Sequence, residues 1–122
     1  MAATIVVWVE DLFFLTKIRE TAKVVGVTVI ANDGRRGSDG IAAAQPQAII
    51  LDLNSCGPPA VDWIRTLKSD PATRRIHIVG FVSHVQEELI SAARAAGCDS
   101  VMARSAFTRQ LPDFLRSLVS QP

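Results

Sequence analysis

Five side chains with chemical potential stand directly after short apolar runs of this sequence. Glu10 and Asp11 follow the run at 4–9, Asp52 follows 48–51, Ser83 follows 76–82 and Arg104 follows 100–103. Brought to one crevice, three carboxylates facing a hydroxyl and a guanidinium would form a hard, oxygen-rich site. Such donors suit Mg²⁺, which keeps several waters and takes only one or two carboxylates together with a phosphoryl oxygen. They also suit phosphoryl transfer, which needs positioning and neutralisation of the equatorial oxygens more than it needs a base. Each residue has a plainer reading as well. An aspartate at a strand end is commonly a turn or cap residue, so Asp11 reads equally as the N-cap of a following helix. Arg104 reads either as a phosphate-binding cation or as a structural ion-pair partner that shuts the site by binding Asp52.

Whether these residues meet depends on the elements that carry them. Short apolar runs at 4–9, 27–30, 48–51, 76–82 and 100–103 are rich in β-branched or small residues and mostly lack polar alternation, as strands buried on both faces do. Segments of helical period separate them. Leu15, Ile18, Ala22 and Val25 precede Gly26, while Val61, Ile64 and Leu67 precede a stop at Ser69, Asp70 and Pro71. Val85, Leu89, Ala93 and Ala96 precede Gly97, and Phe107, Leu111, Phe114, Leu115 and Leu118 form a final stripe in which Pro112 is expected near the first turn, where proline costs least. Between the second and third runs, "NDGRRGSDG" at 32–40 holds three glycines. These disfavour a full second helix and leave a stub at about 41–44, with an irregular segment before it. Alternating strand and helix predicts an α/β fold: one doubly wound, five-stranded parallel sheet of flavodoxin-like order 2-1-3-4-5, with helices on both faces and the second helix short or irregular. In such a sheet all strands end at one edge, and the five chemical residues end there with them.

The 122 residues suffice for one domain, taken as 1–122, and no linker or repeat suggests a boundary. A net charge of +1, with no Lys or Arg run longer than a pair, gives no reason to expect direct nucleic-acid or membrane binding. The run at 4–9 is too short for a signal-peptide core or a membrane span, so a cytoplasmic location is expected. Cys56 and Cys98 belong to no metal or redox pattern and are expected to be free thiols. His77 and His84 lack partners at ligand spacing and read as surface residues, while Trp8 and Trp63 read as packing residues. Phe13 and Phe14 cannot both face the core from one helix, so one is expected beside the acidic residues as a contact for a partner. A flavin- or nucleotide-binding enzyme of this fold would need a glycine- or hydroxyl-rich loop after the first strand. "EDLFFL" at 10–15 supplies acid and bulk instead.

Four stretches carry a family resemblance across almost the whole chain: "IVVWVED" at 5–11, "AIILDLN" at 48–54, "LKSDPATRRIHIVGFVSH" at 67–84 and "AARAAGCDSVMARSAF" at 92–107. In order and spacing they resemble the receiver (CheY-like) domain of two-component response regulators. The resemblance implies a signalling module rather than an enzyme, in which Asp52 accepts a phosphoryl group. It implies that Glu10, Asp11, Asp52 and the backbone carbonyl of Asn54 hold Mg²⁺, and that Ser83 and Arg104 bind the phosphoryl group and carry the switch. The implied partners are a sensor histidine kinase or phosphotransfer protein and a downstream target protein, with room for a homodimer. Arg104 and Ser105 stand where the family has Lys-Pro, and Val101 where it usually has an aromatic residue. Arginine is longer and planar, and it does not substitute neutrally for a compact ammonium. These departures support an alternative: a non-phosphorylated pseudo-receiver acting as a constitutive protein-interaction module.

Overall fold

The three inner apolar runs, at 4–9, 48–51 and 76–82, form strands buried by the helices that the intervening segments supply, while the runs at 27–30 and 100–103 form partly exposed strands. A computed structural model describes residues 3–31 and 37–119. In chain order it contains β1 (Ala3–Trp8), α1 (Leu12–Val25), β2 (Val27–Ala31), α2 (Ser38–Ala44), β3 (Ala48–Asp52), α3 (Leu53–Ser69), β4 (His77–Val82), α4 (Glu87–Ala96), β5 (Ser100–Ala103) and α5 (Arg104–Val119). The strands are all parallel and ordered β2-β1-β3-β4-β5. This is the doubly wound flavodoxin-like sheet that the alternation predicts.

Side chains alternate across the sheet and feed two cores. Ile5, Val7, Ile50, Val79 and Phe81 point to the face covered by α1 and α5, where they meet Ile18, Ala22, Leu111 and Leu115. Val6, Ile49, Leu51 and Ile78 point to the opposite face, covered by α2, α3 and α4, where they meet Ile41, Ile64, Leu67 and Ala93. Aromatic contacts close each core near the carboxyl edge. Phe81 stacks on Phe107 at 5.2 Å and Phe14 tilts onto Phe81 at 4.9 Å, while Trp8 meets Trp63 edge-on at 5.5 Å. Such pairs contribute roughly 0.5–1.5 kcal/mol each beyond the area they bury.

Three expectations need correction. α2 begins at Ser38, not near 41, and incorporates Gly40; buried Ile41 anchors this turn in the core, which outweighs the propensity cost of one glycine. Of the stretch 32–40, residues 32–36 lie outside the described residues. Pro112 is not near a first turn, because α5 starts directly from β5 at Arg104 and reaches Pro112 eight residues later. The buried stripe Phe107, Leu111, Leu115 and Leu118 holds that helix together across the missing N–H. Strand ends move by a residue or so, the fourth beginning at His77 instead of Ile76.

α3 is two segments in one. Gly57 has φ 61 and ψ −150, a conformation essentially reserved for glycine, and Pro58 and Pro59 follow it. Residues 53–56 therefore make a separate turn at the end of β3, and the regular helix restarts at the prolines, which tolerate a first turn. In β4, a Cβ at Gly80 would stand 2.7 Å from Leu53 Cδ1. The absence of a side chain there lets Leu53 tuck fully beneath the turn, which fixes the residue before it, Asp52.

Candidate functional site at the carboxyl edge of the sheet

Asp52 is the last residue of the central strand β3, flanked by β1 and β4, and only 4% exposed. Its carboxylate caps the turn that follows. Oδ1 accepts from the Ser55 N–H at 3.3 Å and Oδ2 from the Ser55 hydroxyl at 2.9 Å. No ion pair of the described residues involves Asp52. It is a buried acid held by neutral donors from one neighbour.

Glu10 is exposed in the loop after β1, and its charge is felt with that of Asp52 at Cys56. Burial first, then the negative charges of Asp52 and Glu10, push the Cys56 thiol up to about 12. The thiol lies 3.5 Å from the Trp8 carbonyl, so it sits under the ends of both β1 and β3.

Asp11 takes the helix-capping role. Oδ1 accepts from the N–H groups of Phe13 (3.0 Å) and Phe14 (3.2 Å) at the start of α1. Oδ2 accepts from Arg104 Nη2 at 3.1 Å, and the Arg104 guanidinium carbon lies 4.1 Å from the centre of the Phe14 ring. The Phe14 N–H, followed by Arg104, holds the Asp11 carboxyl below its ordinary pKa. Arg104 thus has a carboxylate partner, but it is Asp11, not Asp52. As the first residue of α5, Arg104 emerges on the α1 side of the sheet, where the Phe14 face offers a cation–π seat.

Asn54 acts through its amide. Oδ1 accepts from the backbone N–H groups of Ser83 (2.6 Å) and His84 (3.0 Å), and Nδ2 donates to the His84 carbonyl (3.1 Å) and Gln86 Oε1 (2.8 Å). This one side chain clamps the β4–α4 loop to the end of β3. Ser83 is exposed at the head of that loop.

All six predicted residues therefore lie at one edge. Direct contact joins Asp11 to Arg104 and Asn54 to Ser83, while Glu10 and Asp52 act together on Cys56. Sequence reasoning missed Ser55 and Phe14. The spacing Asp52-x-x-Ser55 was a readable capping signal; the cation–π seat was not, since it depends on the juxtaposition of α1 and α5. The pairing with Asp11 bears directly on Mg²⁺. The donor chemistry is suitable, yet both oxygens of Asp11 are engaged, and no group of three or more His, Cys, Asp or Glu among the described residues is arranged to hold a metal ion. A cation at Asp11 Oδ2 has to displace Arg104. Phe13, 91% exposed, and Leu12, 74% exposed, form an apolar point beside this edge, and Phe14 takes the buried position. No described helix is long and apolar enough to cross a membrane.

No family model and no curated protein matches the chain. Solved structures do. The signal receiver domain of the DNA-binding response regulator merR from Colwellia psychrerythraea superposes with a TM-score of 0.78 at 18% identity, covering 98% of this chain and 99% of that one. Chemotaxis protein CheY4 of Vibrio cholerae gives 0.78 at 14% identity over 97% and 99%. The phosphorylated cyanobacterial phytochrome response regulator RcpA gives 0.72 at 20% identity over 98% and 96%. The fold is that of response-regulator receiver domains along the full chain.

Proposed function

We propose that this chain, which has the receiver fold, is a receiver domain of phosphorelay signal transduction that accepts a phosphoryl group on Asp52. The observation that carries the reading is the Asp52 carboxylate: buried at the carboxyl end of the central strand and, among the described residues, free of any cation and held by one serine. A carboxylate so placed is a nucleophile whose competitor for an incoming phosphoryl group is a single neutral residue. Ser83 and the Asn54-clamped loop stand at the carboxyl end of β4 to receive the phosphoryl oxygens. Mg²⁺, for which Glu10, Asp11, Asp52 and the Asn54 carbonyl are the implied donors, would have to displace Arg104 from Asp11 to bind at the acidic edge; bound there, it would neutralise phosphoryl charge. The chain acts by protein–protein contact in the cytoplasm and not as an enzyme. A sensor histidine kinase or phosphotransfer protein docks over Phe13, and a target protein reads the altered surface.

One observation favours the second reading, a constitutive interaction module. Arg104 is seated on Asp11 and Phe14, so the chain supplies its own cation to the acidic edge and needs no metal to relieve its repulsion.

Incubation with Mg²⁺ and a small acyl phosphate, followed by intact mass, separates the two readings. The phosphorelay reading expects a gain of one phosphoryl group in the wild type, none in Asp52→Asn, and a higher yield or longer lifetime in Arg104→Lys, whose compact ammonium lacks the planar guanidinium that rests on Phe14 while one N–H binds Asp11. A gain that persists in Asp52→Asn removes the acceptor. No gain in either wild type or Arg104→Lys leaves the constitutive module.

A further inference from the structure

Between α3 and α4 runs a groove of about 620 Å³ that the phosphorelay reading does not use. Its floor is apolar, formed by Pro58 and Val61 of α3 and Leu89 and Ala92 of α4. Its rim is acidic, with Asp62 on one wall and Glu87 and Glu88 on the other, and no Lys or Arg lines it. On a chain whose net charge is +1 this is a local concentration of negative charge. Glu87 and Glu88 form no ion pair among the described residues. Asp62 pairs with Arg65 at 2.9 Å, but both side chains are mostly exposed, and a pair of that kind contributes about 1 kcal/mol at most and exchanges readily.

Helix α4 gains from acids in its first turn, but that gain does not require an open apolar floor facing them. The space lies within the roughly 300–1,000 Å³ of ligand sites and is shaped as an aliphatic slot between carboxylates. We propose that the groove docks a short peptide segment of a partner protein, with one aliphatic side chain on the floor and Lys or Arg on either side against Asp62, Glu87 and Glu88. The charge excludes an acidic segment, nucleic acid and an anionic membrane surface. Asn54 and Gln86, hydrogen-bonded to each other at 2.8 Å, also line the groove. The amide that clamps Ser83 and His84 therefore also forms a groove wall, two residues from Asp52.

The test is selection of a displayed heptapeptide library on the full, unphosphorylated chain at low salt, so the outcome does not depend on whether Asp52 can be phosphorylated. Enriched sequences are expected to carry net positive charge around one Leu, Ile, Val or Met. A synthetic peptide of that sequence should shift the amide resonances of Val61, Leu89 and Ala92. Its affinity should fall with added salt, and about tenfold in Glu87→Gln/Glu88→Gln, as loss of roughly 1.4 kcal/mol implies. Ala92→Trp should block it by filling the floor. Enrichment of neutral or acidic sequences, no enrichment at all, or peptides that bind the wild type and the double glutamine variant equally would overturn the proposal.

Discussion

A guanidinium that is hydrogen-bonded to Asp11 and lies over Phe14 has given up the freedom that a switch residue needs, and Asp52 is left with a serine. The residue that reports on this arrangement is Cys56. Burial, Asp52 and Glu10 raise its thiol to about 12, and burial chiefly raises Cys98 to about 11. At pH 7 both cysteines are then held as thiols, and the thiolate is the reactive form. The folded chain should consume almost no aromatic disulfide reagent over minutes at pH 7–8, and both thiols should react once denaturant is added. Asp52→Asn should lower the Cys56 pKa without normalising it, since burial is the larger cause. Rapid labelling of Cys56 in the native chain would mean that the turn at 53–56 opens. At this scale the sequence named the acids, the asparagine, the serine at 83 and the arginine. It did not say which acid holds the arginine, because the reach of a guanidinium is decided by the ring it settles on, and Phe14 is brought there by packing.

At the level of elements, backbone punctuation does the positioning. Gly57 separates the capping turn after Asp52 from the body of α3, and Gly80 leaves the space that Leu53 fills. Gly57→Ala should cost roughly 1–3 kcal/mol for the forced positive φ, and Gly80→Ala a similar amount, about 1–3 kcal/mol, for overpacking against Leu53. Urea unfolding measures both as shifts in midpoint at constant slope. If either substitution is neutral, Asp52 is not held by that residue. The five strands and four of the helices were readable because apolar runs and helical stripes report burial directly. Two features were not. One turn of α2 anchored by Ile41 looks like a glycine loop, and the start of α5 at Arg104 precedes the first buried residue of its stripe, so Pro112 seemed closer to the helix end than it is.

For the whole molecule, the sheet order has a consequence in time. β3, β4 and β5 are neighbours both in sequence and in space, so they can pair as they are made. β1 can pair with β2 as soon as that strand is made, but its other edge must wait for β3, and Gln47 marks that meeting by donating its N–H to the Thr4 carbonyl at 2.8 Å while its side chain accepts from the Thr4 N–H at 2.7 Å. The Asp11–Arg104 contact spans 93 residues and needs both α1 and α5 in place. Contacts of such separation form late, after the nearer pairings have repaid the loop entropy. Arg104→Gln should therefore leave the refolding rate unchanged and speed unfolding, as for a residue with φ-value near zero; a slower refolding limb in stopped-flow measurements would contradict this. On that expectation the acidic edge would assemble without its built-in cation: the cap on Asp52, three residues long, could close early, and the arginine would arrive after it.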